Sequence, residues 1–423
     1  MSVAESVKKA QEAGSWIRKM FEEGAALKKQ YGADKVYDFS IGNPDVEPPR
    51  AFHDTLVALA TKDVPGSHGY MPNAGFPEVR EQLAKKAGRD HQVEIDGSHI
   101  VMCVGAAGGL NVVLKAILNS GDEVVVSKPY FVEYGSYIAN HGGRMVLVPS
   151  TADFDLDVAA IAAALTEKTA AVLINSPHNP TGRVYPAATI RALADALRQH
   201  GARTGRYPYL IADEPYREII YDKRQVAPIL SAYEESIVVT SYSKSLSLPG
   251  ERIGYIALGP KLSQAQEMTG ALAYTTRILG FVNAPALMQR VVARLTESQV
   301  DVSVYARRRD AFTAVLDQVG IPYVQPEGAF YLFCKVPPRQ HAASGGEVAS
   351  GNLSSSDSHA NNRLSAATAA DDIAFVNHLK EYHVLAVPGT GFGAPGYFRL
   401  AYCVDESIIR NSLPAFRDAM AHW

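Results

Sequence analysis

Cysteine is scarce in this chain of 423 residues: Cys103, Cys334 and Cys403 are odd in number, far apart and each set among apolar neighbours. That usage excludes a disulfide-stapled scaffold and predicts buried free thiols in a reducing compartment. No uninterrupted apolar run reaches the ~20 residues needed to span a bilayer. The opening Met-Ser-Val-Ala-Glu-Ser-Val-Lys-Lys has no apolar segment of the signal-peptide kind, so the expected location is the cytoplasm, with no membrane partner. Neither sign of charge dominates, since 41 Lys and Arg stand against 44 Asp and Glu for a formal −3. No basic block points to nucleic acid and no acidic tail points to a solvating segment. No internal repeat is visible, and the length suggests two or three domains.

What is present is alternation. Residues 4–30 read as an amphipathic helix ended by Tyr31-Gly32, followed by a short strand, Val36–Ile41, and a turn-rich segment, Gly42-Asn-Pro-Asp-Val-Glu-Pro-Pro49. From about 50 to 300, apolar strands alternate with helical patterns: Ile100–Val104, Glu123–Ser127, Arg144–Val148, Thr169–Asn175, Tyr209–Asp213, Ile237–Ser241 and Gly254–Leu258. Such alternation predicts an α/β fold with a largely parallel seven-stranded sheet between helices. Ligands of these sheets sit at the carboxyl ends of strands, and Asn175, Asp213 and Ser241 each close one.

A long helical stretch near 287–318 leads to Tyr323–Val336, the start of a smaller α+β unit. Residues 338–370, dominated by Ser, Ala, Gly and Asn, read as a flexible insertion. The unit resumes with a helix near 371–382, Val384–Gly389, Tyr397–Cys403 and a last helix from about 405. The expected division is 1–49 as an N-terminal helix and arm belonging to the small domain, 50–306 as the large domain, and 307–423 as the small domain.

The densest chemistry surrounds Lys244, in Ser241-Tyr-Ser-Lys-Ser-Leu-Ser-Leu-Pro-Gly-Glu-Arg252. A surface lysine needs no such company; a lysine forming an imine with an aldehyde cofactor beside a bound phosphate does. Asp213, about thirty residues upstream in Asp213-Glu-Pro-Tyr216, closes an apolar run. Alone it reads as a turn aspartate. With Lys244 one strand away it fits the carboxylate that keeps a pyridine nitrogen protonated. Tyr216 and Asn179, in Asn175-Ser-Pro-His-Asn-Pro-Thr-Gly182, fit partners of the ring's phenolate oxygen. The cofactor implied is pyridoxal 5'-phosphate.

A phosphate dianion is held by amides at a helix N-terminus plus a guanidinium. Gly105-Ala-Ala-Gly-Gly109 follows a strand and opens a helical run, but has neither the Gly-x-Gly-x-x-Gly spacing nor a Gly-Lys-Ser/Thr ending. It suits a phosphate cup using the amides of Ala106 and Ala107, completed by Ser241, Ser243 and Arg252. Phe131, rather than Tyr130, is the expected ring-stacking aromatic. Arg399, in an apolar strand, must have an anionic partner, for which a substrate α-carboxylate is the natural choice and a structural ion pair the alternative.

These motifs together resemble the class I/II aminotransferases of pyridoxal phosphate fold type I along nearly the whole chain: Tyr70-x4-Gly75, Gly105-Ala-Ala, Asn179-Pro-Thr-Gly, Asp213-x-x-Tyr216, Ser241-x-Ser-Lys244-x7-Arg252 and Arg399. Pro326-Glu-Gly-Ala-Phe-Tyr331 and Pro388-Gly389 match the family's small domain. The resemblance implies an amino-acid:2-oxo-acid transaminase working by a ping-pong exchange with 2-oxoglutarate as acceptor. It also implies a homodimer in which Tyr70 reaches the neighbouring subunit's cofactor phosphate, and a Gly42 segment covering the substrate carboxylate. Two departures stand out. Ala107 occupies the place of a lysine carried by aspartate-specific members. Arg277, before Asn283-Ala-Pro285, is out of register with an arginine lent by the partner subunit. A β-elimination lyase or aminocyclopropane-carboxylate synthase type would use the same site, and a pyridoxal phosphate-binding regulator without turnover is the rival of another class.

Overall fold

The computed structural model describes residues 3–5, 7, 8, 16–62, 64–339 and 369–423. The expected insertion 338–370 lies outside the described residues except at its four end positions, as does much of the first half of the expected helix 4–30. Its second half forms the helix Trp16–Tyr31, with Lys28 and Lys29 in the last turn where they complement the helix dipole. Gly32, at φ 97°, then turns the chain.

The strands are β1 (Tyr37–Asp38), β2 (Ile100–Cys103), β3 (Glu123–Ser127), β4 (Arg144–Val148), β5 (Thr169–Asn175), β6 (Tyr209–Asp213), β7 (Ser236–Ser241), β8 (Gly254–Leu258), β9 (Tyr323–Val324), β10 (Tyr331–Lys335), β11 (Val384–Leu385), β12 (Val387–Pro388) and β13 (Tyr397–Ala401). The central sheet runs β2-β8-β7-β6-β5-β3-β4. Only β8 opposes its neighbours; the remaining pairs are parallel. Every residue of β5 and β8 is buried, as expected of strands covered on both faces, whose sequences read as continuous apolar runs. Alternate residues feed two cores: Val172, Ile174, Leu210, Ala212 and Val238 on one face, Leu173, Ile211, Val239 and Ile256 on the other.

A second, antiparallel sheet runs β12-β13-β10-β9. Its core draws on both chain ends, with Met20 and Phe39 packed among Phe312, Phe330, Leu332, Phe398, Leu400 and Phe416. Phe39 lies 4.5 Å from Phe312, ring to ring, and β1 pairs in parallel with β11. The N-terminal arm is thus anchored beside the crevice at the carboxyl ends of β5, β6 and β7.

Three differences from the sequence reading have physical causes. The expected strand Val36–Ile41 shrinks to β1 because its backbone bonds leave the ladder: Ser40 N and Oγ both donate to Asp38 Oδ1, at 3.2 and 2.6 Å. The expected helix 287–318 divides into Ala286–Val292 and Val302–Val319, the second restarted by an Asp301 side chain that accepts from Ser303 N. The last helix divides into Glu406–Asn411 and Leu413–Ala421, with Pro414 in the first turn of the second. Among the described residues no helix is long and apolar enough to cross a membrane.

Candidate active site

Strand ends position the site. Asn175 closes β5, Asp213 closes β6 and Ser241 closes β7, while β2 delivers the loop that opens the helix Gly105–Ile117 at the same edge. The crevice encloses a cavity of about 340 Å³ lined by Gly42, Ala106, Ala107, Phe131, Asn179, Asp213, Tyr216, Ser241, Ser243, Lys244, Arg252 and Arg399. Twelve of the thirteen residues singled out from the sequence therefore meet in one place. Tyr70 does not join them: its side chain is 92 % exposed. A larger groove of about 650 Å³ lies beside Leu59, Val79 and Leu287, but its Lys62, His68, Glu78 and Arg294 side chains are exposed. Size alone does not locate the chemistry.

Asp213 is buried, and its Oδ2 accepts from the Tyr134 hydroxyl at 2.6 Å. Its Oδ1 is buried without a hydrogen-bond partner among the described residues. Burial raises its pKa from the ordinary carboxylate range to about 7, opposed by the Tyr134 hydrogen bond and reinforced by neighbouring Glu214. Asn175 fixes the surrounding backbone, since Nδ2 donates to Asp213 O at 2.7 Å and Oδ1 accepts from Asn179 N at 2.7 Å.

Lys244 Nζ donates to Gly42 O at 2.9 Å. Burial pulls its pKa down to about 8; nearby Cys403 opposes this, while Arg399 and Arg252 add to it. Arg399 is 2 % exposed. Its Nη1 donates to Asn179 Oδ1 at 3.0 Å and its Nη2 to Ser40 O at 2.8 Å, while Nε is buried and has no partner among the described residues. The rings of Tyr331 and Phe392 lie 4.6 and 4.9 Å from its guanidinium. One short backbone strap, Ser40–Gly42, therefore holds both Arg399 and Lys244.

Gly105, at φ 76°, has a backbone that favours glycine and leaves room for a guanidinium. An L side chain is strained there, and an added Cβ would lie 2.6 Å from Arg252 Nη2. Arg252 itself is left-handed at φ 50°. Its guanidinium caps Pro249 O at 2.9 Å and Val104 O at 3.5 Å, beside the first turn of the helix Gly105–Ile117. Amides of that turn, a guanidinium and two serine hydroxyls form a donor set suited to a phosphate.

Two lining tyrosines, Tyr137 and Tyr331, and Tyr134 behind Asp213 escaped the sequence reading as site residues. Tyr134 is hydrogen-bonded to Asp213; Tyr137, its pKa raised by burial and then by Glu133, also feels the charges of Asp213 and Arg252; Tyr331 bonds Tyr216 hydroxyl to hydroxyl at 2.8 Å. Tyr134 and Tyr137 follow Phe131 at helical spacing in the same segment, which is the one signal that could have found them. Phe131 lines the cavity and Tyr130 does not. Among the described residues no group of three or more His, Cys, Asp or Glu is arranged to hold a metal ion.

The family model described as aminotransferase class I and II matches residues 34–416. The chain belongs to this family of transaminases. It is 31 % identical over 404 residues to a probable aspartate/prephenate aminotransferase of Thermus aquaticus, covering 93 % of each chain. A crystal structure of an amino transferase from Eubacterium rectale superposes with a TM-score of 0.88 at 35 % identity, covering 99 % of this chain and 98 % of that one. The aspartate aminotransferase of Thermus thermophilus with maleate gives a TM-score of 0.81 at 26 % identity, over 99 % and 100 %. Class I and II aminotransferases depend on pyridoxal 5'-phosphate, and this cavity fits that group. It offers a buried carboxylate oxygen without a partner for the ring nitrogen, a glycine-cleared cup for the phosphate and a low-pKa lysine for the aldehyde.

Proposed function

We propose that this aminotransferase binds pyridoxal 5'-phosphate and exchanges an amino group between an L-amino acid and a 2-oxo acid by a ping-pong cycle, with 2-oxoglutarate as acceptor. The observation that carries the reading is one cavity containing both Lys244, its pKa lowered to about 8, and Asp213, its Oδ1 buried and unpaired. Asp213 would face the ring nitrogen, with Tyr134 fixing its other oxygen. Asn179 and Tyr216 would serve the ring oxygen, and Phe131 would lie against the ring. Ser241, Ser243, Arg252 and the Ala106 and Ala107 amides would hold the phosphate. We further propose a homodimer in which Tyr70, left 92 % exposed on this chain, serves the neighbouring site.

The cofactor, when bound, supplies an electron sink for the pair left on the substrate α-carbon. Arg399 takes the α-carboxylate, oriented by Asn179 and the Ser40–Gly42 strap. Lys244 Nζ removes the α-proton and redelivers it; a pKa near the working pH suits one group to both tasks. Asp213, ionised opposite a cationic ring nitrogen, keeps that nitrogen protonated. Ile41, Leu110, Phe131 and Tyr331 exclude water from the reacting atoms.

The relatives' names make aspartate the first donor to test. The described cations lining the cavity are Lys244, Arg252 and Arg399, one of them for an α-carboxylate, so alanine, methionine and aromatic donors belong beside it. A donor panel with 2-oxoglutarate, read as oxo-acid formation, tests the reading. Lys244→Ala should abolish both turnover and the pH-dependent visible band that requires the covalent lysine–cofactor link. Full activity in that variant would overturn the assignment.

A further inference from the structure

Tyr331 is a buried hydroxyl that the mechanism above uses only as a wall. It opens β10 and is 2 % exposed. Its ring lies under the Arg399 guanidinium at 4.6 Å, and its hydroxyl meets that of Tyr216 at 2.8 Å. The Gly42 backbone closes the remaining side so tightly that an added Cβ would stand 2.0 Å from the Tyr331 oxygen. Each hydroxyl owns one proton. If Tyr216 gives its proton to an acceptor in the cavity, the short contact behind it must be filled by the proton of Tyr331.

Either hydroxyl can be the donor in the empty site, and four charged or titratable groups surround the pair: Arg399, Cys403, Asp213 and Lys244. Arg399, from β13, lowers the pKa of Tyr331 against the burial that raises it. Cys403, just past β13, is held up at about 12 by burial and so is neutral near pH 7. Burial and then the Tyr331 hydroxyl raise the pKa of Tyr216, Arg399 lowers it and Asp213 raises it, and Lys244 is tied to the same Gly42. A proton on Tyr331 next to a guanidinium is a strong donor, and a chain of such donors polarises along its length.

We propose that Tyr331 is a positioning residue that relays the charge of Arg399 to the Tyr216 hydroxyl, a second route beside the direct Arg399–Asn179 hydrogen bond. It rests on the pyridoxal phosphate reading given above. A carboxylate arriving at Arg399 offsets the guanidinium charge, weakens Tyr331 as a donor and so weakens Tyr216 in turn. Occupancy of the substrate end is thereby felt at the ring oxygen, before any proton leaves the substrate.

The test is a pH titration of the visible absorbance of the holoenzyme, in the wild type, Tyr331→Phe, Tyr216→Phe and the double variant. Phenylalanine keeps the ring under Arg399 and removes only the hydroxyl. Tyr331→Phe should raise the absorbance midpoint by about half to one pH unit, the size of one hydrogen bond. The shift should vanish when Tyr216 is already Phe. An unchanged midpoint, or the same shift in both backgrounds, overturns the relay. Should Tyr331→Phe not fold, saturation with an unreactive carboxylate replaces it. That ligand should raise the midpoint more in the wild type than in Tyr216→Phe, and equal shifts overturn the relay. A wild-type protein that gains no visible band with pyridoxal 5'-phosphate refutes the cofactor reading itself, a result distinct from the others.

Discussion

Replacing Asp213 by Asn should stabilise the cofactor-free protein at high pH while disabling the enzyme. The unfolded chain ionises this carboxyl near pH 4, whereas burial holds the folded one protonated until about 7. Between those values the unfolded state has released a proton that the folded state retains, so stability falls as the pH rises through the window. From pH 5 to the folded midpoint the loss covers about two pH units, or about 3 kcal/mol at ~1.4 kcal/mol per unit. Asparagine keeps the geometry, because its amide oxygen can accept the Tyr134 hydroxyl. Its amide hydrogens meet the position where Oδ1 now lacks a partner, a cost of about 1–3 kcal/mol that is the same at every pH. The assay is urea unfolding of both cofactor-free proteins at pH 5 and pH 8. The stability of the variant relative to wild type should rise by about 3 kcal/mol between the two, with the slope of unfolding on urea unchanged. A difference independent of pH would refute the assignment of a buried, unpaired carboxyl at this position.

Two further outcomes follow from the same geometry. Capture of pyridoxal 5'-phosphate by the cofactor-free protein requires neutral Lys244, so its stopped-flow rate should climb from pH 6 and level off above about 8, the value set chiefly by burial; a rate still climbing at pH 10 would mean an ordinary lysine. Gly42→Ala places a Cβ 2.0 Å from the Tyr331 oxygen, which Tyr216 holds in place. The strap must therefore shift and loosen its grip on Lys244 and Arg399, at a cost of about 1–3 kcal/mol. A variant with wild-type thermal midpoint and wild-type kcat/KM would show that the strap is not packed this way.

The sheet was legible because its strands are covered on both faces, so that β5 and β8 stand out as unbroken apolar runs against amphipathic helices. The charged residues of the site were legible for the opposite reason. Lys244, Asp213 and Arg399 are costly in apolar surroundings and have to be explained by a partner. Tyrosines carry no such signal. Tyr331 sits in an apolar run and Tyr134 in an aromatic-rich segment, where a ring is ordinary core, and only the packing reveals that the Tyr134 hydroxyl meets Asp213 and the Tyr331 hydroxyl meets Tyr216. The strap was misjudged for a related cause. Residues 36–41 have strand composition, but Asp38 draws Ser40 into a local turn, and the carbonyls left over are the ones that Arg399 and Lys244 use.

That arrangement bears on why the site has to be read as functional. A fold that needed Asp213 and Arg399 only for stability would have joined them, since two buried opposite charges are each expensive alone and far cheaper as a pair. Here no ion pair joins them: Tyr216 feels the charge of both, and Tyr331, bonded to Tyr216, lies against Arg399. Asp213 keeps one oxygen unpaired and Arg399 keeps Nε unpaired, both buried. The chain therefore keeps a carboxyl oxygen and a guanidinium nitrogen unsatisfied at the edge of one cavity, with Lys244 beside them. A cationic ring nitrogen would satisfy the first and a substrate carboxylate the second. The stability given up in the empty site is returned on binding, which makes affinity for cofactor and substrate a direct consequence of how badly the empty site is satisfied.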